Sequence, residues 1–133
     1  MKYFSPLWYI EAMKEIQDLL DYVEELHQKD AIHVRRGFKL SQATALDASN
    51  HLLEEAIELQ AEVIQNQEFG YTDDMLDEAS DVLVCYLHLL RRKCMPLSKV
   101  AEHAKEKLQR AFTTDPSKVT AIKPGVTRKG RAK

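Results

Sequence analysis

Glycine and proline are scarce in this chain, four of each in 133 residues. So few breakers exclude a fold of many short strands and tight turns and favour long uninterrupted elements. Cysteine is nearly absent as well. Cys85 and Cys94 alone make no disulfide framework, so a reducing cytoplasm is the expected setting. No run of eighteen apolar residues exists to span a membrane. The start, Met-Lys-Tyr-Phe-Ser-Pro, has neither the apolar run nor the small-residue cleavage site of a signal peptide. Aromatic residues are few, at 8%, so any surface for stacking a flat ligand rests on a handful of side chains.

What remains is ordinary for a soluble protein: 44% apolar and 30% charged residues, in a length that suits one domain with a real core. The net charge of −2 conceals an asymmetry. Residues 113–133 hold six Lys/Arg (Lys118, Lys123, Arg128, Lys129, Arg131, Lys133) against Asp115 alone, a basic tail of +5. Residues 1–112 then hold thirteen cations against twenty acids, or −7. A basic tail can touch nucleic acid, but a short terminal segment of this kind is ordinarily just solvated. The acidic body argues against DNA or RNA as the main partner, because phosphate backbones require positive surfaces.

Apolar periodicity predicts four helices. The first starts near Ser5-Pro6, a cap followed by proline at the first helical position, and ends between His27 and Asp30; Leu7, Ile10, Met13, Ile16, Leu19, Leu20, Val23 and Leu26 recur at helical spacing. Asp30 to Leu40, rich in His33, Arg35, Arg36 and Lys39 and containing Gly37, reads as a connection. Ser41 can cap a second helix running to about Gln65, with Leu52, Ala56, Leu59 and Val63 on its apolar face and Leu53, Ile57 and Ile64 alongside. Asn66 to Asp73 reads as a turn around Gly70. Thr72 or Asp73 caps a third helix to about Lys93, and Ser98 a fourth to about Phe112, striped by Val100, Ala104, Leu108 and Ala111. No strand pattern or internal repeat is evident. Helices with short loops imply an all-α bundle of four to five antiparallel helices over residues 1–112, completed by oligomerisation because the core of so few helices is thin.

The chemistry lies in four carboxylates. Glu55 and Glu58 form one i, i+3 pair, Glu78 and Asp81 another, so each pair occupies one face of its helix. About twenty positions separate the pairs, enough for one helix to end and the next to return beside it. Both pairs border apolar faces, whereas a solvated charge run sits opposite the core. Clustered carboxylates resist desolvation unless a cation neutralises them, which suggests a hard divalent metal and a phosphate-bearing substrate. Glu54 and Glu62 are either further ligands or surface charge; Asp74 and Asp77 suit the helix N-terminus.

Residues 51–62, His-Leu-Leu-Glu-Glu-Ala-Ile-Glu-Leu-Gln-Ala-Glu, and 77–90, Asp-Glu-Ala-Ser-Asp-Val-Leu-Val-Cys-Tyr-Leu-His-Leu-Leu, resemble the E-x-x-E … E-x-x-D signature of MazG-like nucleoside triphosphate pyrophosphohydrolases, in the all-α NTP pyrophosphatase superfamily. Leu59 and Val82-Leu83 fit beside the two pairs, and the likeness covers roughly residues 41–112. It implies an all-α fold assembled as a homodimer or homotetramer. It implies Mg²⁺, with Mn²⁺ as a substitute, held by Glu55, Glu58, Glu78 and Asp81. The implied reaction releases a nucleoside monophosphate and pyrophosphate from a triphosphate and controls the nucleotide pool. Glu55 and Glu58 would be the catalytic pair, with Glu55 the candidate base for a water. Two positions depart from the pattern: Ser80 where glycine is usual before the Asp, and Gln109 where an Asn is usual on the last helix. Lys105, Lys107 and Arg110 are candidate phosphate contacts, or equally a solvated helix face with cations near its C-terminal end.

Other readings fit less well. Cys85-x-x-His88 lacks the second pair that zinc requires, and a di-iron bundle requires Glu-x-x-His, absent after Glu55 and Glu78. Trp8, Tyr9, Phe38 and Tyr86 are the candidates for stacking a nucleobase, Trp8 foremost because it could close a site between subunits; in a helical protein with few aromatics each is more often simply core or interface. The alternative to an enzyme is a helical nucleotide-binding or protein-interaction module with a degenerate carboxylate site.

Overall fold

The computed structural model describes residues 6–119, and of Pro6 and Trp8 the backbone only. The chain divides into two units, residues 1–96 and 97–133. The fold is all-α. The first unit holds α1 (Pro6–Gln28), α2 (Ala45–Gln65) and α3 (Asp73–Arg92), and the second holds α4 (Leu97–Ala111) and a short 3₁₀ turn at Pro116–Lys118.

Helix α2 starts later than the Ser41 cap predicts. Thr44 caps it instead: its Oγ1 accepts from the Asp47 N–H at 3.0 Å, while Asp47 Oδ2 accepts from the Thr44 N–H at 3.0 Å. That reciprocal pair satisfies two amide donors that a helix start otherwise leaves without partners. Ser41 lies in a 3₁₀ turn, Leu40–Gln42. Thr72 caps α3 as predicted, accepting from the Met75 N–H at 3.1 Å, and Asp73 and Asp74 supply negative charge to the same first turn.

Helices α2 and α3 pack side by side as a hairpin and supply most of the contact between elements. Helix α1 meets α3 near its own C-terminal end. There Glu24 accepts from Arg91 Nε and Nη2 at 2.7 and 3.2 Å, and the His27 and His88 rings share a hydrogen bond of 2.8 Å. Val23, Leu87 and Leu90 are buried around this junction, and Met75 and Cys85 along α3. The first turns of the predicted apolar face of α1 are not core: Leu7, Ile10, Met13 and Ile16 are exposed, while Leu19, Leu20 and Leu26 are half-buried; Leu53, Ile57 and Ile64 on α2 are exposed too. Helical spacing identified which side chains share a face but not whether anything covers that face.

The segment between α1 and α2 is more than a connection. Two short strands, β1 (Ile32–His33) and β2 (Phe38–Lys39), pair antiparallel, with His33 opposite Phe38. Two residues per strand leave no alternation to detect, which is why the sequence shows no strand. Gly37, at φ +73°, closes the loop with its N–H donating to the His33 carbonyl at 2.7 Å; glycine adopts that backbone without steric cost. Asp30 ends α1 in the left-handed region, φ +49°, and its carboxylate accepts from the Ser41 N–H and Oγ, both at 2.8 Å. The hairpin is thereby tied at its base to α1.

Two measurements test these joints. Thr44→Ala should lower unfolding stability by about 1 kcal/mol in a urea titration, as lost N-caps do. Burial, followed by the nearby His27, His33 and His51 rings, pushes the His88 imidazole down to about 4 from its ordinary 6.5. The unfolded chain therefore takes up that proton first as pH falls. This contribution to stability is complete above about pH 6.5 and lost between there and about pH 4. The urea midpoint of the native chain should fall over that window more steeply than that of His88→Gln.

Candidate metal centre

Glu55 lies on the side of α2 that faces α3, and it is the buried charged residue among the described residues. Glu58 is one turn further along the same helix, and Glu78 stands on α3. One carboxylate oxygen from each of the three lies within 4.8 Å of the others. The helix hairpin thus converts two sequence-local pairs into one three-carboxylate cluster. Asp81 is the exception. It is exposed and stands outside this triad, though near enough for its charge to act on both Glu55 and Glu78.

The electrostatics of the cluster are unfavourable as they stand. Desolvation first, then the charges of Glu58 and Asp81, push the Glu55 carboxyl above its ordinary value, against a smaller opposing pull from His51. Glu78 is raised by desolvation and by the charges of Glu58, Asp81 and Glu55 in turn. His51 reaches Glu55 Oε2 at 3.2 Å from one helical turn away. The other oxygen, Oε1, is buried without a hydrogen-bond partner, and so is Oε1 of Glu78. Buried acceptors normally find partners, and a carboxylate can be satisfied by a cation as well as by a donor. Three all-oxygen ligands with two orphaned buried oxygens fit a hard divalent ion such as Mg²⁺ or Mn²⁺, which takes carboxylate oxygens together with waters.

Beside the cluster is a cavity of about 460 Å³ whose wall includes the hairpin residues His33, Arg36 and Phe38, the α2 residues Asn50, His51 and Glu54, and Cys85 and His88 of α3. His51 belongs to both places, lining the cavity and holding Glu55. Arg36 Nη2 lies 3.9 Å from Glu54 Oε1, so a cation stands at the cavity wall near the acids. Glu54 pairs with that guanidinium rather than joining the triad. Phe38 and His33 rings sit 5.7 Å apart. Burial pushes the Cys85 thiol up to about 11, so without a metal it packs as a neutral group.

Of the other sequence candidates, Lys105, Lys107 and Arg110 stand exposed on α4 in the second unit. The Trp8 side chain, Ser5 and the tail beyond residue 119 lie outside the described residues. Sequence reasoning missed Arg36, Asn50 and His51 as parts of a cavity wall. For Arg36 the available signal was the density of Arg and His between two helices, too much chemistry for a simple connection; Asn50 and His51 lie within α2 and carried no such signal.

No family model, curated protein or solved structure matches this chain.

The like-charge cost yields a prediction. In EDTA at neutral pH, Glu78→Gln should raise the melting temperature by removing one member of a repelling cluster. With millimolar Mg²⁺ the native chain should gain thermal stability by binding linkage, and the Gln variant should gain much less. A thermal shift series reads both effects.

Proposed function

We propose that this chain is a Mg²⁺-dependent nucleoside triphosphate pyrophosphohydrolase, cleaving between the α- and β-phosphates to give NMP or dNMP and pyrophosphate, and so controlling particular nucleotides in the pool. The observation that carries this reading is the convergence of Glu55, Glu58 and Glu78 with two buried oxygens that lack partners. Such a cluster is costly for a protein to keep without a cation, and a cation held by carboxylates is a natural receptor for a polyphosphate. The E-x-x-E … E-x-x-D likeness supports the same conclusion.

In this reading Glu55, Glu58 and Glu78 hold the ion, with Asp81 drawn in as fourth carboxylate. Mg²⁺ held there would neutralise charge on the triphosphate and make a water easier to deprotonate. Glu55 is the proposed acceptor of a water proton through whichever carboxylate oxygen does not hold the ion, and His51, 3.2 Å from its Oε2, would orient the group. The proton passes to Glu55 as water adds and the α–β phosphoanhydride bond breaks; pyrophosphate leaves with the bridging oxygen. The adjoining cavity suits the nucleoside. Phe38 offers a ring for stacking, and the Asn50 amide both donates and accepts hydrogen bonds. Arg36 is the nearest candidate cation for a phosphate, with Lys105, Lys107 and Arg110 as further candidates and Trp8 as a second stacking residue. The assembly is a homodimer or homotetramer.

A second reading is a non-catalytic nucleotide-binding or interaction module. The position of Asp81 outside the triad favours it, as do Ser80 and Gln109. Turnover separates the two readings, since a dead site can still bind Mg²⁺.

The test is pyrophosphate release from a panel of canonical and modified NTPs and dNTPs, with Mg²⁺ and with EDTA. Metal-dependent release from at least one substrate is expected. Glu58→Ala and Asp81→Ala should each abolish it, a loss of at least 100-fold by the usual weight of metal and acid–base groups, while the helical circular dichroism is retained. Activity kept in both variants would remove the site assignment, and a folded chain inactive on the whole panel would favour the module.

A further inference from the structure

Helix α4 is divided lengthwise by chemistry. At about 100° per residue, Leu97, Val100, Ala104, Leu108 and Phe112 fall within an arc of about 120° that holds no polar residue. Ala101 and Ala111 complete the arc. Phe112 continues the last turn, its N–H donating to the Leu108 carbonyl at 3.0 Å. Lys107 stands about 20° beyond one edge of the arc and Lys105 about 20° beyond the other. Glu102 and Glu106 lie about 140° and 180° from its centre. Leu97 and Val100 are half-buried, while Ala101, Ala104 and Ala111 are exposed. Leu108, Phe112 and, beyond the helix, Val119 are 57%, 73% and 68% exposed. Charge is divided along the chain as well. Residues 97–133 hold ten Lys/Arg against three acids, or +7, and residues 1–96 hold nine against eighteen, or −9.

We infer that α4, with the basic segment that follows it, binds the surface of an anionic phospholipid bilayer, the helix lying in the plane of the headgroups. A helix in that position presents an apolar face to the boundary between headgroups and acyl chains and cations to the anionic lipid. Lysines at both edges of the arc suit this arrangement, because their stems lie along the apolar face while their ammonium groups reach lipid phosphate. Glu102 and Glu106, opposite the arc, then face water rather than like charge. The net +5 of residues 113–133 adds attraction within the short range of the surface potential. Other occupants fit less well. An isologous contact with a second copy would set the edge lysines against their own images. A nucleic acid would use the cations but leave Leu108 and Phe112 in water. A helix-binding groove on another protein takes large anchors at successive turns, whereas Ala101, Ala104 and Ala111 leave this arc shallow. A shallow arc binds weakly by apolar burial alone, so charge carries much of the affinity and salt must weaken it.

This goes beyond the proposed function and does not depend on its chemistry. The experiment is co-sedimentation of the full chain with lipid vesicles, in EDTA and without nucleotide. One set of vesicles is phosphatidylcholine alone and the other carries about 30% phosphatidylserine. The anionic vesicles should hold the native chain at least about tenfold more tightly than the neutral ones, and salt raised from about 0.1 to about 0.5 M should release it. Leu108→Glu combined with Phe112→Glu should weaken binding to anionic vesicles at least about tenfold, with its helical circular dichroism preserved. Should that pair fail to fold, Leu108→Ala combined with Phe112→Ala decides: a loss of about fivefold or more supports the surface, and a smaller loss overturns it. A folded glutamate pair that binds as tightly as the native chain overturns it, since the basic segment would then act alone. Equal binding to both kinds of vesicle, or binding to a single-stranded oligonucleotide and to no vesicle, also overturns it. Pyrophosphate release plays no part in this readout, so either proposal can fail alone.

Discussion

Carboxylates of like charge are held together between two packed helices, and the rest of the first unit is arranged around that constraint. Glu55 is buried where α2 faces α3, Glu78 comes towards it from α3, and Glu58 completes the triad. Desolvation and mutual repulsion push both Glu55 and Glu78 towards their protonated forms. Apolar packing along the hairpin has to outweigh that repulsion. The caps at Thr44 and Thr72 fix where each helix starts, and so fix the register that brings residue 55 opposite residue 78. A shift of one residue in either helix would rotate its carboxylates by about 100° and disperse the cluster.

The cavity and the cluster share parts. His51 lines one and holds a carboxylate of the other, and Cys85 and His88 continue the same wall along α3. The hairpin that closes the cavity is itself tied to α1 through Asp30 and Ser41. Helix α1 is braced on α3 by an exposed ion pair that solvent screens, and by the His27–His88 bond with the apolar side chains around it. At least one of the two imidazoles must be neutral there, since two protonated rings cannot share that hydrogen bond. The brace and the cluster therefore respond oppositely to acid: protonation disrupts the first and relieves the second.

Sequence periodicity was enough for the four helices, because each carries several turns of apolar spacing bounded by Thr, Pro or Gly. It was also enough to bring Glu55, Glu58 and Glu78 together, since i, i+3 spacing and an antiparallel return leave little other choice. It failed where the structure depends on few residues or on what lies opposite. The strands at Ile32–His33 and Phe38–Lys39 are too short to alternate. The true cap of α2 was three residues beyond Ser41, because Asp30 engages Ser41 instead. Asp81 has the same spacing from Glu78 as Glu58 has from Glu55, yet it stands outside the triad; helical spacing gives the face but not the depth. For the first turns of α1 and the outer side of α2, apolar spacing was legible but exposure was not, because spacing does not say what lies opposite a face.

Calorimetric titration of Mg²⁺ into the metal-free chain, in two buffers of different ionisation enthalpy at mildly acidic pH, tests the central claim most directly. A cluster whose Glu55 and Glu78 carboxyls are raised by burial and like charge must lose protons to hold a cation. Saturable binding with proton release, seen as a buffer-dependent heat and absent in Glu55→Gln combined with Glu78→Gln, is the expected result. A folded chain that binds no Mg²⁺, or binds it with no proton release and no dependence on these two residues, would contradict the account.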